Sequence, residues 1–152
     1  MIEDKIKELG FTVPEAPKPL AAYIPALKEG NLVFTAGQLP LALGELKYKG
    51  KLGRDLTEED GRKAAELCAL NCLSVVKSVV GSLDNIERIV KVTAFINSAP
   101  GFTDQPKIAN GASEFFVNVF GEMGKHVRSA VGVNELPLNA AVEVEIIARL
   151  KS

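Results

Sequence analysis

The chain has 152 residues, a net charge of −1 and a pI near 5.9, which leaves no electrostatic footprint for binding a polyanion. Hydrophobic residues make up 47% and charged residues 24%, an ordinary balance for a globular protein, and no apolar run approaches the length of a membrane span. At this size roughly 68–70% of the unfolded surface is buried on folding, so residues 1–152 are expected to form one domain without a metal or disulfide to hold it.

In chain order, Ile2, Ile6 and Leu9 fall at helical spacing and Gly10 suits the position just past a helix end, so residues 1–10 are an expected N-terminal helix. The same stretch, MIEDKIKELG, carries charges throughout and lacks an apolar core, so it does not read as a secretory signal. A proline-rich connector containing Tyr23 is expected over 11–30. NLVFTAGQLP then reads as a strand over about 31–38, ended by Pro40. LGELKYKGKLG alternates weakly and is expected to be a polar second strand or a β-excursion, its Lys47, Lys49 and Lys51 forming a solvated edge.

Thr57 with Asp60 forms a shortened capping box that opens a helix over about 58–80. Ala65, Cys68, Cys72, Val75, Val76 and Val79 make its apolar face and Gly81 stops it. Cys68 and Cys72 are the only cysteines and no histidine lies near them, so they read as core residues of a reduced, cytoplasmic chain. RIVKVTAFIN is an expected strand over about 88–97. A second helix over about 105–120 starts at Pro106, turns Ile108, Ala112, Phe115, Phe116 and Val119 inward, and ends at Gly121. Two strands, about 127–134 and 141–150, close the chain around the turn at Leu136-Pro137.

This order predicts an α+β fold, a single mixed sheet with two long helices on one face. In the last strand Val142, Val144, Ile146 and Ala148 alternate with Glu143, Glu145 and Ile147. The first set belongs against the helices. The second faces away, together with either Ile89, Lys91, Thr93 and Phe95 or the complementary residues of RIVKVTAFIN. A face mixing apolar and acidic groups is too apolar for water alone, so a homo-oligomer with clefts near the charges is expected.

The chain resembles the YjgF/RidA family of reactive-intermediate deaminases, some members of which carry the label endoribonuclease L-PSP. The resemblance rests on Arg128-Ser129, on Leu136-Pro137, and on the ungapped Val142-Glu143-Val144-Glu145-Ile146-Ile147-Ala148. It extends to Asn31 through Pro40, which resembles the family's Ser-Gly-Gln-x-Pro signature, to Tyr23 before Pro25, and to Asn110 and Glu114 ahead of Phe116. The longer N-terminal segment marks a side branch. Two departures are Ala36, where the family often has serine, and Ala130, where it often has cysteine.

The resemblance implies a chorismate-mutase-like fold and a barrel-like homotrimer with active sites between subunits. It further implies that Arg128 clamps the carboxylate of a 2-imino acid, that Glu143 orients or deprotonates the attacking water, and that Tyr23, Ala36, Gly37, Asn110 and Ala130 line the substrate cleft. Hydrolysis of an already electrophilic C=N carbon asks for positioning and charge stabilisation, with no cofactor or metal. On this reading the charges of 128–150 lie together on the sheet face that lines the cleft. Glu145 is read as structural and His126, the only histidine, as incidental. Two other readings stay open: a trimer that binds a small carboxylate metabolite without turnover, and an RNA-cleaving enzyme or translation inhibitor. Against the latter stand the slight negative charge and 6% aromatics.

Overall fold

The computed structural model describes residues 1–18 and 22–152. A short helix, α1 (Ile2–Glu8), leads through Gly10, at φ 93°, into the connector. The connector is not free of regular structure, because a strand β1 (Ala26–Glu29) lies within it and pairs antiparallel with β2 (Leu32–Thr35). Residues 19–21 of the expected connector lie outside the described residues. Its earlier part is packed down, since Ser74 donates a 2.6 Å hydrogen bond to the Pro14 carbonyl and Phe11 meets Phe115 edge to face.

The expected strand at 31–38 is shorter than its sequence suggests. Regular pairing stops at Thr35, whose hydroxyl oxygen accepts from the Ile146 amide at 3.0 Å, and pairing resumes as a single bridge between Gln38 and Val144. Of the two expectations for this stretch the β-excursion holds: it forms a hairpin of two-residue strands, β3 (Leu41–Ala42) and β4 (Glu45–Leu46), outside the main sheet. Nor do all three lysines form a solvated edge. Lys51 keeps only 12% of its side chain exposed, and its ammonium binds Asn97 Oδ1, the Asn134 carbonyl and Glu135.

Both long helices form as the sequence predicts. In α2 (Glu58–Val80) the Thr57–Asp60 capping box is closed in both directions. In α3 (Gln105–Phe120) Ile108, Ala112, Phe115, Phe116 and Val119 are all buried. Val79, expected on the apolar face of α2, is instead exposed. The helices cross closely because position 111 is glycine: a Cβ there would land on the backbone carbonyl of Arg62.

The main sheet runs β1-β2-β7-β5-β6, with β5 (Ile86–Asn97), β6 (Val127–Val133) and β7 (Val142–Leu150). Among the described residues of this sheet β5 and β6 are the one parallel pair, so the sheet is mixed. Val142, Val144, Ile146 and Ala148 are buried in one core with both helices, as the alternation requires. Cys68 and Cys72 lie in the same core, free and fully buried. Truncating either Phe115 or Phe116 would cost about 3–5 kcal/mol.

Among the described residues no helix packs against the opposite face of the sheet. Register places Leu27, Phe34, Ile147, Lys91 and Val127 in one row across it. Next come Glu145, Thr93 and Ser129, then Glu143, Phe95 and Val131. Ile89 does not join Lys91, Thr93 and Phe95 on this face, because a register shift between Ile89 and Lys91 turns Ile89 into the core.

Candidate functional site

Arg128 sits on the edge strand β6 opposite Val92, a core residue of β5, and therefore leaves the sheet on the helix side. There α3 presents Asn110 and Ser113, three residues apart and so on one helix face. The two hydrogens of Arg128 Nη1 are committed to them, at 2.8 Å to Asn110 Oδ1 and 3.2 Å to Ser113 Oγ. Among the described residues no carboxylate lies within salt-bridge distance of Arg128, and Nε and Nη2 make no hydrogen bond. A half-buried guanidinium held only by neutral acceptors keeps its full charge uncompensated, and its open Nε–Nη2 edge matches a carboxylate bidentately.

Ser113 also lies 2.8 Å from His126 Nε2, while His126 Nδ1 lies 2.6 Å from the Gly124 carbonyl. Burial, above the opposing Gly124 hydrogen bond, pushes the His126 imidazole below its usual value, and the Arg128 charge acts in the same direction. Sequence reasoning passed over Ser113 and took His126 as incidental. The spacing of Ser113 from Asn110 was the available signal.

Glu143 belongs to a second cluster. It lies on the open sheet face opposite Phe95, and a Cβ at position 37 would land on its carboxylate oxygen. Gly37 is held from both sides: Ala36 donates to the Pro25 carbonyl at 2.7 Å, and Gln38 exchanges backbone hydrogen bonds with Val144. Half-burial, and then the neighbouring Glu145 charge, push the Glu143 carboxyl above the ordinary carboxylate value. Beside it, Tyr23, Ile24, Leu27, Phe34 and Ala36 line a shallow cleft of about 450 Å³, with the Tyr23 ring exposed.

The residues expected to share one site thus fall into two groups within the chain. Arg128, Asn110 and Ala130 lie together on the helix side of β6, Ala130 packing against the core. Glu143, Gly37, Ala36 and Tyr23 gather near the β2–β7 end. The expectation that Arg128 and Glu143 share the open face is incorrect, since Arg128 alternates with Ser129 and Val131 and leaves the sheet on the other side, with β5 between the two strands. Among the described residues no three His, Cys, Asp or Glu side chains cluster to hold a metal ion, and no helix is long and apolar enough to cross a membrane.

Comparison with known proteins agrees with this architecture. The family model described as YjgF/chorismate-mutase-like, which also carries an endoribonuclease label, matches residues 3–150. Protein TCP17 of Trypanosoma cruzi is 40% identical over 148 residues, covering 97% of this chain and 92% of that protein. The 2-iminobutanoate/2-iminopropanoate deaminase of Dermatophagoides farinae is 32% identical over 137 residues, covering 90% of this chain and 92% of that protein. The crystal structure of Atu1372 from Agrobacterium tumefaciens, a protein of unknown function, superposes with a TM-score of 0.93 at 43% identity, covering 99% of this chain and 92% of that one.

Proposed function

The chain belongs to the YjgF/chorismate-mutase-like family, and from that premise we propose that it hydrolyses reactive 2-imino and 2-enamino acids to 2-keto acids and ammonia. The observation that carries this reading is the uncompensated Arg128, whose Nη1 is anchored by Asn110 and Ser113 while its outer edge stays open for an anion. An imino acid supplies that anion as its carboxylate.

With the carboxylate clamped, C2 of the imine is held in place for attack. Starting from the protonated imine, Glu143 takes a proton from a water as the water oxygen bonds to C2 and the C=N π pair moves to nitrogen, giving a carbinolamine. Glu143 returns that proton to the amino nitrogen, the C–N bond breaks as the hydroxyl oxygen forms the C=O and gives its own proton back to Glu143, and a 2-keto acid and ammonia are released. An enamine enters by protonation at carbon to the same imine. A carboxyl raised by burial suits a group that must both take up and return a proton. Backbone groups around Gly37 and the Tyr23 hydroxyl complete the cleft.

Because Arg128 and Glu143 diverge within one chain, the working site takes them from different copies in a homotrimer packed through the open sheet faces. The exposed Leu27, Phe34, Val127 and Val131 support such burial. Two free cysteines suit a reducing, cytoplasmic setting. The name of the Dermatophagoides relative fits the same chemistry. Capture of a carboxylate metabolite without turnover is the second reading, because an open guanidinium serves binding and catalysis alike.

The test is a coupled assay in which a pyridoxal-phosphate dehydratase generates 2-aminoacrylate or 2-aminocrotonate in situ. Wild type should speed the appearance of pyruvate or 2-ketobutyrate, and Arg128→Ala should abolish the acceleration. No acceleration by folded wild type would overturn the deaminase reading for these substrates. Retained ligand binding without ammonia release in Glu143→Gln would separate catalysis from capture.

A further inference from the structure

We propose that His126, acting through the Ser113 hydroxyl, is the positioning residue that aims the Arg128 guanidinium. The inference builds on the deaminase reading, in which Arg128 holds the substrate carboxylate.

The hydrogen bonds run in one direction. The Gly124 carbonyl can only accept, so the 2.6 Å contact requires the hydrogen on His126 Nδ1. In the neutral ring Nε2 is then a lone pair, and the Ser113 hydroxyl, 2.8 Å away, donates its single hydrogen to it. With that hydrogen engaged, Ser113 Oγ turns its lone pairs to Arg128 Nη1 at 3.2 Å. Asn110 Oδ1 takes the second Nη1 hydrogen. Both hydrogens of one guanidinium nitrogen are therefore fixed, which sets the plane and the direction of the open edge. Without the imidazole the hydroxyl is free to rotate, and the Ser113 anchor on Arg128 weakens.

The ring is itself firmly placed. It meets Phe116 edge to face at 6.0 Å. Gly124 sits where a Cβ would strike the Phe116 carbonyl, so the turn that presents its own carbonyl is pressed against the end of α3. Arg88 ties down the next residue by donating to the Lys125 carbonyl at 2.6 Å. Burial favours the neutral imidazole, the form the relay requires.

Because the chain has a single histidine, nitrogen-15 spectra of its imidazole report on one residue alone. At neutral pH the ring should be the Nδ1-protonated neutral tautomer, and Ser113→Ala should shift Nε2 and broaden the Arg128 side-chain N–H signals. A ring protonated on Nε2, or Arg128 signals indifferent to Ser113→Ala, would overturn the proposal even if the protein proved inactive in the coupled assay. In an active protein, His126→Phe keeps the ring against Phe116 but removes its nitrogens. It and Ser113→Ala should each raise KM about tenfold, the value of one weakened charge-assisted hydrogen bond, with kcat within about twofold. The double variant should be no worse than either single, and Ser113→Thr, which keeps the hydroxyl, should retain the wild-type KM. A wild-type KM in His126→Phe would show that the ring serves packing alone, while full loss of turnover confined to Arg128→Ala would leave the deaminase reading standing without this relay.

Discussion

Gly37→Ala separates stability from chemistry in one substitution. The added Cβ would lie 2.7 Å from Glu143 Cδ and 3.0 Å from Cγ, and would overlap the carboxylate oxygen. Ordinary carbon contacts need about 3.5–4.0 Å, so the carboxyl group must move by about 1 Å. The backbone need not resist, because Gly37 is not among the glycines at positive φ. What yields is the end of a half-buried side chain, at an off-rotamer cost of about 0.5–1.5 kcal/mol. For a chain of this size that lowers the melting temperature by about 2–4 °C per kcal/mol. If Glu143 handles the attacking water, a 1 Å displacement costs about 10²-fold in turnover, near 2.7 kcal/mol of barrier. Thermal melts and the coupled assay, run side by side, should therefore show a small stability loss beside a large loss of rate. Adding Gly37→Ala to Glu143→Gln should cost little further rate. Turnover within threefold of wild type would refute the placement of the Glu143 carboxylate as a reacting group.

At Gly111 the same change should behave in the opposite way: the Cβ would meet the Arg62 backbone rather than a flexible tip, forcing α2 and α3 apart, and urea unfolding should show a loss of about 3 kcal/mol or more. A wild-type midpoint in Gly111→Ala would refute the close crossing. Burial pushes the Cys68 and Cys72 thiols far above their usual value, so neither should react with a thiol reagent at pH 8 until the chain unfolds; rapid native labelling would contradict their place in the core. His126 titrates below its usual 6.5 in the folded chain, so near that pH the unfolded chain binds more protons than the native one. Its contribution is fully present above 6.5 and is lost as pH falls through the native value. Urea midpoints between pH 5 and 7.5 should fall more on acidification in wild type than in His126→Phe, and equal slopes would show that His126 is not buried as described.

Much of this architecture was legible in the chain itself. The period-2 alternation of 142–150 assigned Val142, Val144, Ile146 and Ala148 to the core because a strand has no other way to bury them. The Thr57–Asp60 box and the terminal Gly81 marked the bounds of α2, because both act through backbone groups within a few residues. Local rules could not reveal β1, whose Ala-Leu-Lys-Glu has one buried residue and exists because β2 offers it a partner. They could not reveal the bulge that turns Ile89 inward, which depends on register with β7.

The candidate site residues divide along the same line. The resemblance carried by the sequence marked Arg128, Asn110 and Glu143 for the proposed chemistry. Which of them meet depended on strand order. In β6 the usual pattern is inverted: Val127 and Val131 face outward, while Arg128 turns toward the helices. The parallel pairing of β6 with β5 sets that orientation and places the guanidinium beside Ser113 and His126, two strands from Glu143. Residue types and periodicity are properties of neighbours in the chain. The face on which an edge strand presents its one charge is decided by a pairing between segments more than thirty residues apart, and only the tertiary structure makes that choice.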